Sequence, residues 1–307
     1  MPSLSSLATL SACLMSVAIA AVHRYPLPPR AAHVNLPTTA SATFVQLIDH
    51  THPELGTFSQ RYWWNAEYWK GPGSPVVLFT PGEIDASGYV GYLTNETITG
   101  LFAQEIGGAV ILLEHRYYGE SSPYDSLTTK NLQYLTLEQA IADLTYFAKT
   151  VKLPFDPNGT SNADKAPWVL SGGSYSGALA AWTESTSPGT FWAYHSSSAP
   201  VEAIYDYWQY FVTVQQGLPA NCSKDVSLVV DYVDSILQSG NATAKQQLKD
   251  LFGLGELEHD DDFASALENG PWLWQSNSFY DDYPPVYQFC DYVEGSTFLR
   301  RGIVHTD

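Results

Sequence analysis

The sequence predicts an α/β fold in which a mostly parallel sheet carries helices on both faces. Short apolar runs suited to buried strands alternate with longer helical patterns between residues 75 and 198. One predicted strand, Trp168–Ser171, leads into a glycine-rich corner and then an alanine-rich helix. Such alternation is typical of parallel sheets, because each helix carries the chain back to start the next strand in the same direction.

The predicted elements follow one another in a regular order. Structure is expected to begin near Phe44, and a hairpin region is expected over Thr57–Tyr68. Next come strand Pro75–Thr80, helix Tyr89–Gln104, strand Gly108–Glu114, helix Leu137–Thr150, strand Trp168–Ser171, helix Ser176–Ser185 and strand Trp192–Ser198. After Pro200 the pattern becomes helical, over Ile204–Phe211, Val226–Gln238 and Ala244–Leu251. We therefore expect a core over residues 44–200 and a helical region over residues 201–307.

Composition narrows the class of protein. The 307 residues are 45% hydrophobic and 14% aromatic, which excludes a disordered chain. The formal net charge is -18, so nucleic acid and anionic membrane surfaces would repel the molecule. The acidic balance suits either work at low pH or simple solubility, and the sequence leaves both open.

The amino terminus predicts export. Residues 1–21 carry no charged side chain and end in Ala18-Ile19-Ala20, the small-x-small pattern of a signal peptide cleavage site. Residues 22–43 are rich in proline and alanine and are expected to form a leader or pro-segment. We expect a secreted protein with no membrane association once the signal is removed, and a vacuolar or lysosome-like compartment is the alternative.

Glycosylation and cysteine patterns agree with this route. N-glycosylation sequons begin at Asn95, Asn158, Asn221 and Asn241. Of the three cysteines, Cys13 lies in the predicted signal peptide. The hypothesis that follows is a disulfide between Cys222 and Cys290, because an oxidising compartment favours pairing.

The corner after Trp168–Ser171 is the candidate catalytic motif. Ser174 stands at its tip, Gly172 precedes it by two residues, and an alanine-rich helix follows. This is the context of the nucleophile elbow of α/β-hydrolases, where small residues let strand and helix backbones approach closely. Ser176 departs from the common pattern, which has glycine two residues after the nucleophile. A phosphate-binding turn is the alternative, but the lysine of a P-loop is lacking, and no cofactor or metal is expected.

An oxyanion hole is expected beside Ser174. One donor would be the backbone N–H of Tyr175, and the other would come from the loop Thr80–Glu83 around Gly82. An ordinary turn at the end of a strand explains the same loop equally well. Glu83 is a candidate for contacting a substrate amine, although the sequence alone favours a solvated loop carboxylate.

The catalytic base is harder to find. Hydrolases of this fold place the triad in the order Ser, Asp, His, and only His195, His259 and His305 follow Ser174. His195 is expected at the start of a strand, away from the elbow; His259 lies in an acidic stretch, and His305 is close to the last residue. None of the three suits the role of catalytic base.

With these motifs identified, the chain resembles the post-proline serine peptidases of the prolyl carboxypeptidase and dipeptidyl peptidase II family, and most of all fungal acid prolyl endopeptidases. The matching segments are Gly56–Trp64, Ser74–Glu83, Glu114–Pro123, Gly172–Trp182 and Ser198–Val201. The resemblance implies an α/β-hydrolase core interrupted by a helical cap, hydrolysis on the carboxyl side of proline, and work at acidic pH. The expected substrates are therefore proline-containing peptides or proteins.

The resemblance also implies that relatives continue beyond residue 307 and take their triad acid and histidine from that later part. The chain is therefore expected to be C-terminally truncated, with a partial cap, without its final core strands, and with an atypical tail over Phe298–Asp307. The triad Asp and His are then expected to be absent, and the chain is expected to be inactive. Two other functions stay open: a non-catalytic peptide-binding remnant, and an esterase on the same fold. The choice between endopeptidase and exopeptidase and the oligomeric state are also left open.

Overall fold

The structure is a computed structural model that describes residues 40–278 and 281–295. Its strands are β1 (Ala40–Leu47), β2 (Thr57–Asn65), β3 (Val76–Phe79), β4 (Ala109–Leu113), β5 (Trp168–Gly173) and β6 (Ala193–Ser197). Its α-helices are α1 (Ile98–Ile106), α2 (Leu137–Thr150), α3 (Tyr175–Thr186), α4 (Gln209–Gly217), α5 (Ala220–Leu237), α6 (Ala242–Leu251), α7 (Asp260–Leu267), α8 (Asn269–Trp272) and α9 (Pro285–Val293). The predicted signal peptide and the tail with His305 lie outside the described residues.

The strands form one mixed sheet in the order β1-β2-β4-β3-β5-β6. The β1–β2 and β2–β4 pairs are antiparallel, whereas β4, β3, β5 and β6 run parallel. The parallel part has the strand-and-helix alternation expected from the sequence. The predicted α/β-hydrolase core is confirmed.

Both faces of the sheet are covered, which explains why β3 and β4 are apolar throughout. On β3, Val76 and Leu78 join a cluster with Phe147 of α2. The intervening Val77 and Phe79 join a second cluster that includes Ala103 of α1. Successive strand residues point to opposite faces, so helices on both sides require apolar residues at every position.

The structure departs from the sequence pattern at two places. β1 begins at Ala40, four residues before Phe44, because the small residues that open it show no apolar alternation. The helix expected over Tyr89–Gln104 is split into a 3₁₀ helix, Ala86–Leu93, and α1. The split lies at a tight turn, since a Cβ on Gly100 would stand 1.9 Å from the carbonyl oxygen of Thr94. The predicted hairpin region is the pair of β1 and β2, not a hairpin within Thr57–Tyr68.

The chain divides into two compact units, and the second begins at Ile204. This unit is helical among its described residues, with an apolar core that includes Val214, Phe263 and Phe289. Cys222 of α5 and Cys290 of α9 form a disulfide. None of the described helices combines the length and apolar character needed to cross a bilayer.

Candidate active site

The candidate site lies at one edge of the sheet, where the parallel strands end. Thr80–Glu83 follow β3, Glu114–Arg116 follow β4, and Ser174 follows β5. The carboxyl ends of parallel strands meet at the same edge, and α/β folds place their ligands there. The topology therefore gathers three segments that are far apart in sequence.

Ser174 forms the elbow between β5 and α3. Its φ is 57° and its ψ is -128°, a backbone conformation that side-chain-bearing residues rarely adopt. Strain of this kind costs about 1–3 kcal/mol and persists only where the surroundings enforce it. The Ser174 N–H donates to the carbonyl oxygen of Ser197 at 3.0 Å, and the residue is exposed to solvent.

Two glycines make the elbow sterically possible. A Cβ at Gly172 would stand 2.2 Å from the carbonyl oxygen of Ser176. A Cβ at Gly177 would stand 2.6 Å from the carbonyl oxygen of Ser197. The strand end and the first turn of α3 thus touch through backbone atoms, as the glycine-rich sequence predicts.

The loop after β3 packs against this first helical turn. Gly82 has a φ of 85°, and a Cβ there would stand 2.6 Å from Ser176 Oγ and 3.2 Å from Tyr175 Cδ1. The structure therefore brings Gly82 against the side chains of Tyr175 and Ser176. Tyr175 is the first residue of α3, where backbone N–H groups have no intrahelical partner.

Glu83 is exposed beside this loop. Burial raises the pKa of the Tyr175 phenol, and the negative charge of Glu83 raises it further. The pKa of Tyr118 is raised by the same two causes in the same order. Glu83 is therefore a carboxylate within electrostatic range of the residue that follows Ser174.

His115 is a buried neighbour of the elbow. Its Nε2 lies 3.0 Å from the Tyr175 hydroxyl oxygen, and its Nδ1 lies 2.8 Å from the carbonyl oxygen of Arg116. Its ring makes edge contacts with the rings of Tyr118 and Tyr175, with centroids 5.5 Å away in both cases. Burial lowers the pKa of His115 below its ordinary value.

Two ion pairs hold the segment that carries His115. The Arg116 guanidinium binds the Asp143 carboxylate at 2.7 Å and 2.5 Å, with both side chains buried. On the other side, the buried Glu114 carboxylate accepts from the Arg61 guanidinium at 2.6 Å and 2.8 Å. Bidentate arginine–carboxylate pairs fix geometry as well as charge.

The histidines considered from the sequence lie elsewhere. His195 is in the middle of β6, not at its start, and its Nδ1 bonds Ser171 Oγ at 2.9 Å. His259 is exposed just before α7. Within residues 40–278 and 281–295, Ser174 Oγ has no hydrogen bond to a histidine.

His115 was missed by the sequence reasoning as a member of the site. The available signal was its place directly after an apolar strand, Ala109–Leu113, that is parallel to β5. The contact with Tyr175 depends on how β3 and β4 are ordered in the sheet, which no local pattern specifies.

The four asparagines of the predicted glycosylation sequons, Asn95, Asn158, Asn221 and Asn241, are all exposed.

A mostly parallel sheet with a strained serine between a strand and a helix is the arrangement that defines the α/β-hydrolase class. The chain belongs to the serine carboxypeptidase S28 family, Peptidase_S28, whose model matches residues 46–275. The family resemblance seen in the sequence is confirmed.

Relatives in fungi are similar over most of the chain. Serine proteases vicPb and vicPa of Bipolaris victoriae are 47% identical over 255 residues and 48% identical over 250 residues. These matches cover 83% and 81% of this chain but only 48% and 47% of the relatives. A probable extracellular serine carboxypeptidase of Arthroderma benhamiae is 39% identical over 248 residues, which are 79% of this chain and 34% of that relative. This chain thus spans half or less of their length.

Proposed function

We propose that this chain forms the nucleophile-bearing part of a secreted serine peptidase that cleaves peptide bonds on the carboxyl side of proline. Ser174 is the nucleophile. The elbow geometry is the main support: an exposed serine with a φ of 57° at the carboxyl edge of the sheet, in a chain of a serine peptidase family. Enzymes use such strain to present a nucleophile.

The chemistry follows from the residues around Ser174. Its Oγ attacks the carbonyl carbon of the scissile bond, and the carbonyl electron pair moves onto the oxygen. The backbone N–H of Tyr175 and an N–H of the Gly82 loop hold the oxyanion. The C–N bond then breaks, the amine leaves with the proton from Ser174, and water hydrolyses the acyl ester.

The substrate preference rests on the family motifs and on charge. The segments Ser74–Glu83 and Glu114–Pro123, which resemble post-proline peptidases, both reach the edge of the sheet beside Ser174. The Glu83 carboxylate supplies negative charge there and would attract a positively charged group of a peptide. Both features suit a peptide rather than a neutral ester.

Turnover by the 307-residue chain alone is expected to be very slow. The described histidines that follow Ser174 have other environments: His195 bonds Ser171, and His259 is solvent-exposed before α7. A serine hydroxyl without a base is a poor nucleophile, and losing the base of a triad lowers turnover on the order of a million-fold.

The test measures two reactions of the purified chain at acidic pH. A proline-containing chromogenic peptide should be hydrolysed barely above background, whereas a fluorophosphonate probe should label Ser174 slowly. Ser174→Ala should abolish the labelling. Ser185→Ala, at the exposed far end of α3, is the matched control and should label like the unaltered chain.

Each part of the proposal can fail separately. Labelling that persists in Ser174→Ala would remove Ser174 from the nucleophile role. Rapid Ser174-dependent turnover of the peptide would show that a base is present after all. Faster hydrolysis of short acyl esters than of proline peptides would favour the esterase.

Export is the remaining part of this function. The four sequon asparagines are exposed, the helical unit holds a disulfide, and the Arthroderma benhamiae relative is named as a probable extracellular serine carboxypeptidase. Expression in a eukaryotic host should deliver the chain to the medium, and endoglycosidase treatment should lower its mass. Retention in the cytosol without glycans would contradict export.

A further inference from the structure

The hydrogen bonds of His115 determine which ring nitrogen carries the proton. The Nδ1 atom lies 2.8 Å from the Arg116 carbonyl oxygen, and a carbonyl can only accept. The proton of the neutral ring is therefore on Nδ1. The Nε2 atom then has a free lone pair, so the Tyr175 hydroxyl donates to it across 3.0 Å.

The surroundings keep this ring neutral. His115 is 6% exposed, and burial is the largest cause of its lowered pKa. The hydrogen bond to the Arg116 carbonyl and the Asp143 carboxylate oppose burial by raising the pKa, whereas the Arg116 cation lowers it further. The ring of Tyr118, on the same segment, and the ring of Tyr175, on α3, both contact it, and both phenols have raised pKa values that keep them neutral.

The remaining charged groups on the neighbouring segments either form ion pairs or act on the pKa of other residues. The Glu114 carboxylate, one residue earlier, is bound to Arg61. Glu83, on the loop after β3, acts on the phenols of Tyr118 and Tyr175. The acceptor role of His115 Nε2 towards Tyr175 is thus preserved by its whole environment.

The Tyr175 ring links His115 to the Gly82 loop. One part of the phenol bonds His115, and Tyr175 Cδ1 lies 3.2 Å from the position that a Cβ on Gly82 would occupy. Tyr175 is also the residue that directly follows Ser174 in the chain. The Tyr175 ring therefore contacts the Gly82 loop, which is one expected source of an oxyanion-hole N–H group. The backbone of Tyr175 itself is the other expected source.

We propose that His115 is a positioning residue: as the Nδ1-protonated tautomer it anchors the Tyr175 hydroxyl, and through that ring it fixes the Tyr175 N–H and the Gly82 loop. The oxyanion role of these groups rests on the proposed function, whereas the anchoring itself does not. His115 touches neither Ser174 nor the reacting atoms, so its effect on catalysis passes through Tyr175.

Acid would break this anchor, and the direction of the effect follows from the chemistry. A protonated His115 has two N–H donors, so Nε2 can no longer accept from the Tyr175 hydroxyl. Because burial lowers the folded pKa, the neutral ring survives below the ordinary value of about 6.5. An unfolded chain binds the proton at that ordinary value, so folding stability falls as the pH drops below about 6.5.

The first experiment determines the protonation state of the His115 ring without measuring enzyme activity. The full chain is labelled with ¹⁵N-histidine and ¹⁵N-tyrosine, and the His115 signals are assigned from their loss in His115→Gln. The expected result is a protonated Nδ1, an unprotonated Nε2 and a titration midpoint below about 6.5. A proton on Nε2, or a midpoint at or above that value, would overturn the proposal.

The second experiment uses a conservative variant. His115→Gln retains an acceptor for the Tyr175 hydroxyl but cannot titrate, whereas His115→Ala has no acceptor. The Tyr175 amide signal, identified by its loss in Tyr175→Phe, should move in His115→Ala and keep its place in His115→Gln. A Tyr175 amide signal that keeps its place in both variants, or that moves equally in both, would contradict a positioning role. His115 would then have only a structural role.

Probe labelling of Ser174 then connects the anchor to reactivity. Tyr175→Phe and His115→Ala should each slow labelling about tenfold, the double variant should be no slower than either, and His115→Gln should restore the rate. Additive losses would overturn the link to reactivity. If the unaltered chain does not label at all, the proposed function fails, while the two NMR results still decide whether His115 holds Tyr175.

Discussion

Replacing Gly172 with alanine should lower the reactivity of Ser174 about a hundredfold. The added Cβ would stand 2.2 Å from the Ser176 carbonyl oxygen and 2.8 Å from the Gly177 nitrogen, which are backbone atoms with no rotamer to change. The first turn of α3 must therefore move away from β5, and the φ of Ser174 at 57° can no longer be held. A displacement of about 1 Å near a reacting group costs about a hundredfold in rate, and overpacking costs about 1–3 kcal/mol.

The adjacent glycine provides the control. A Cβ on Gly173 would meet no heavy atom within 4 Å, and the residue is not among the glycines with positive φ. Gly173→Ala should therefore label with the fluorophosphonate probe at close to the original rate. Equal rates for Gly172→Ala and the unaltered chain would show that the elbow tolerates a side chain and that the close backbone contact is unnecessary.

Arg116→Met should destabilise the core by about 3–5 kcal/mol. The change removes a fully buried cation and leaves the Asp143 carboxylate bonded to His50 Nε2, at 2.7 Å. It also strips the donor from three carbonyl oxygens, those of Leu47, Ile48 and Tyr134. The loss is large because the buried Asp143 carboxylate loses its bidentate partner and three carbonyl oxygens each lose a donor. Denaturant unfolding of each purified variant measures it.

A surface pair on the same edge of the sheet is the comparison. Glu120 lies 3.3 Å from Arg61, and its side chain is 77% exposed. Glu120→Gln should change the free energy of unfolding by less than about 1 kcal/mol, because water screens the pair. A loss below about 1 kcal/mol for Arg116→Met would mean that the core relaxes around Asp143 and that the pair does not hold the segment before the site.

Local patterns were sufficient for the fold class and for the elbow. Apolar strand runs alternate with helical periods, and a glycine-rich corner at Ser174 separates a buried strand from an alanine-rich helix. These signals are local because strand period, helix period and the small residues of a sharp turn all act within a few neighbours. Boundaries failed where side chains are small, as at Ala40, or where a tight turn interrupts a helical pattern, as at residues 94–97.

The family could also be predicted from the sequence, because several long motifs in a fixed order are specific for one family. Nothing local indicates that His115 bonds Tyr175, or that Arg116 pairs with Asp143 rather than with one of many other carboxylates. These partners are 60 and 27 residues apart in the chain. They meet only after β4, β3 and β5 have taken their places side by side.

The sequence by itself determined that Ser174 stands at a strained corner between a strand and a helix. Only the tertiary structure decided what surrounds that corner: the Gly82 loop against the first turn of α3, and His115 against the Tyr175 ring. The physical reason is the range of the interactions. Backbone conformation at a turn depends on adjacent residues, whereas the order of parallel strands determines which carboxyl ends lie side by side at the edge of the sheet.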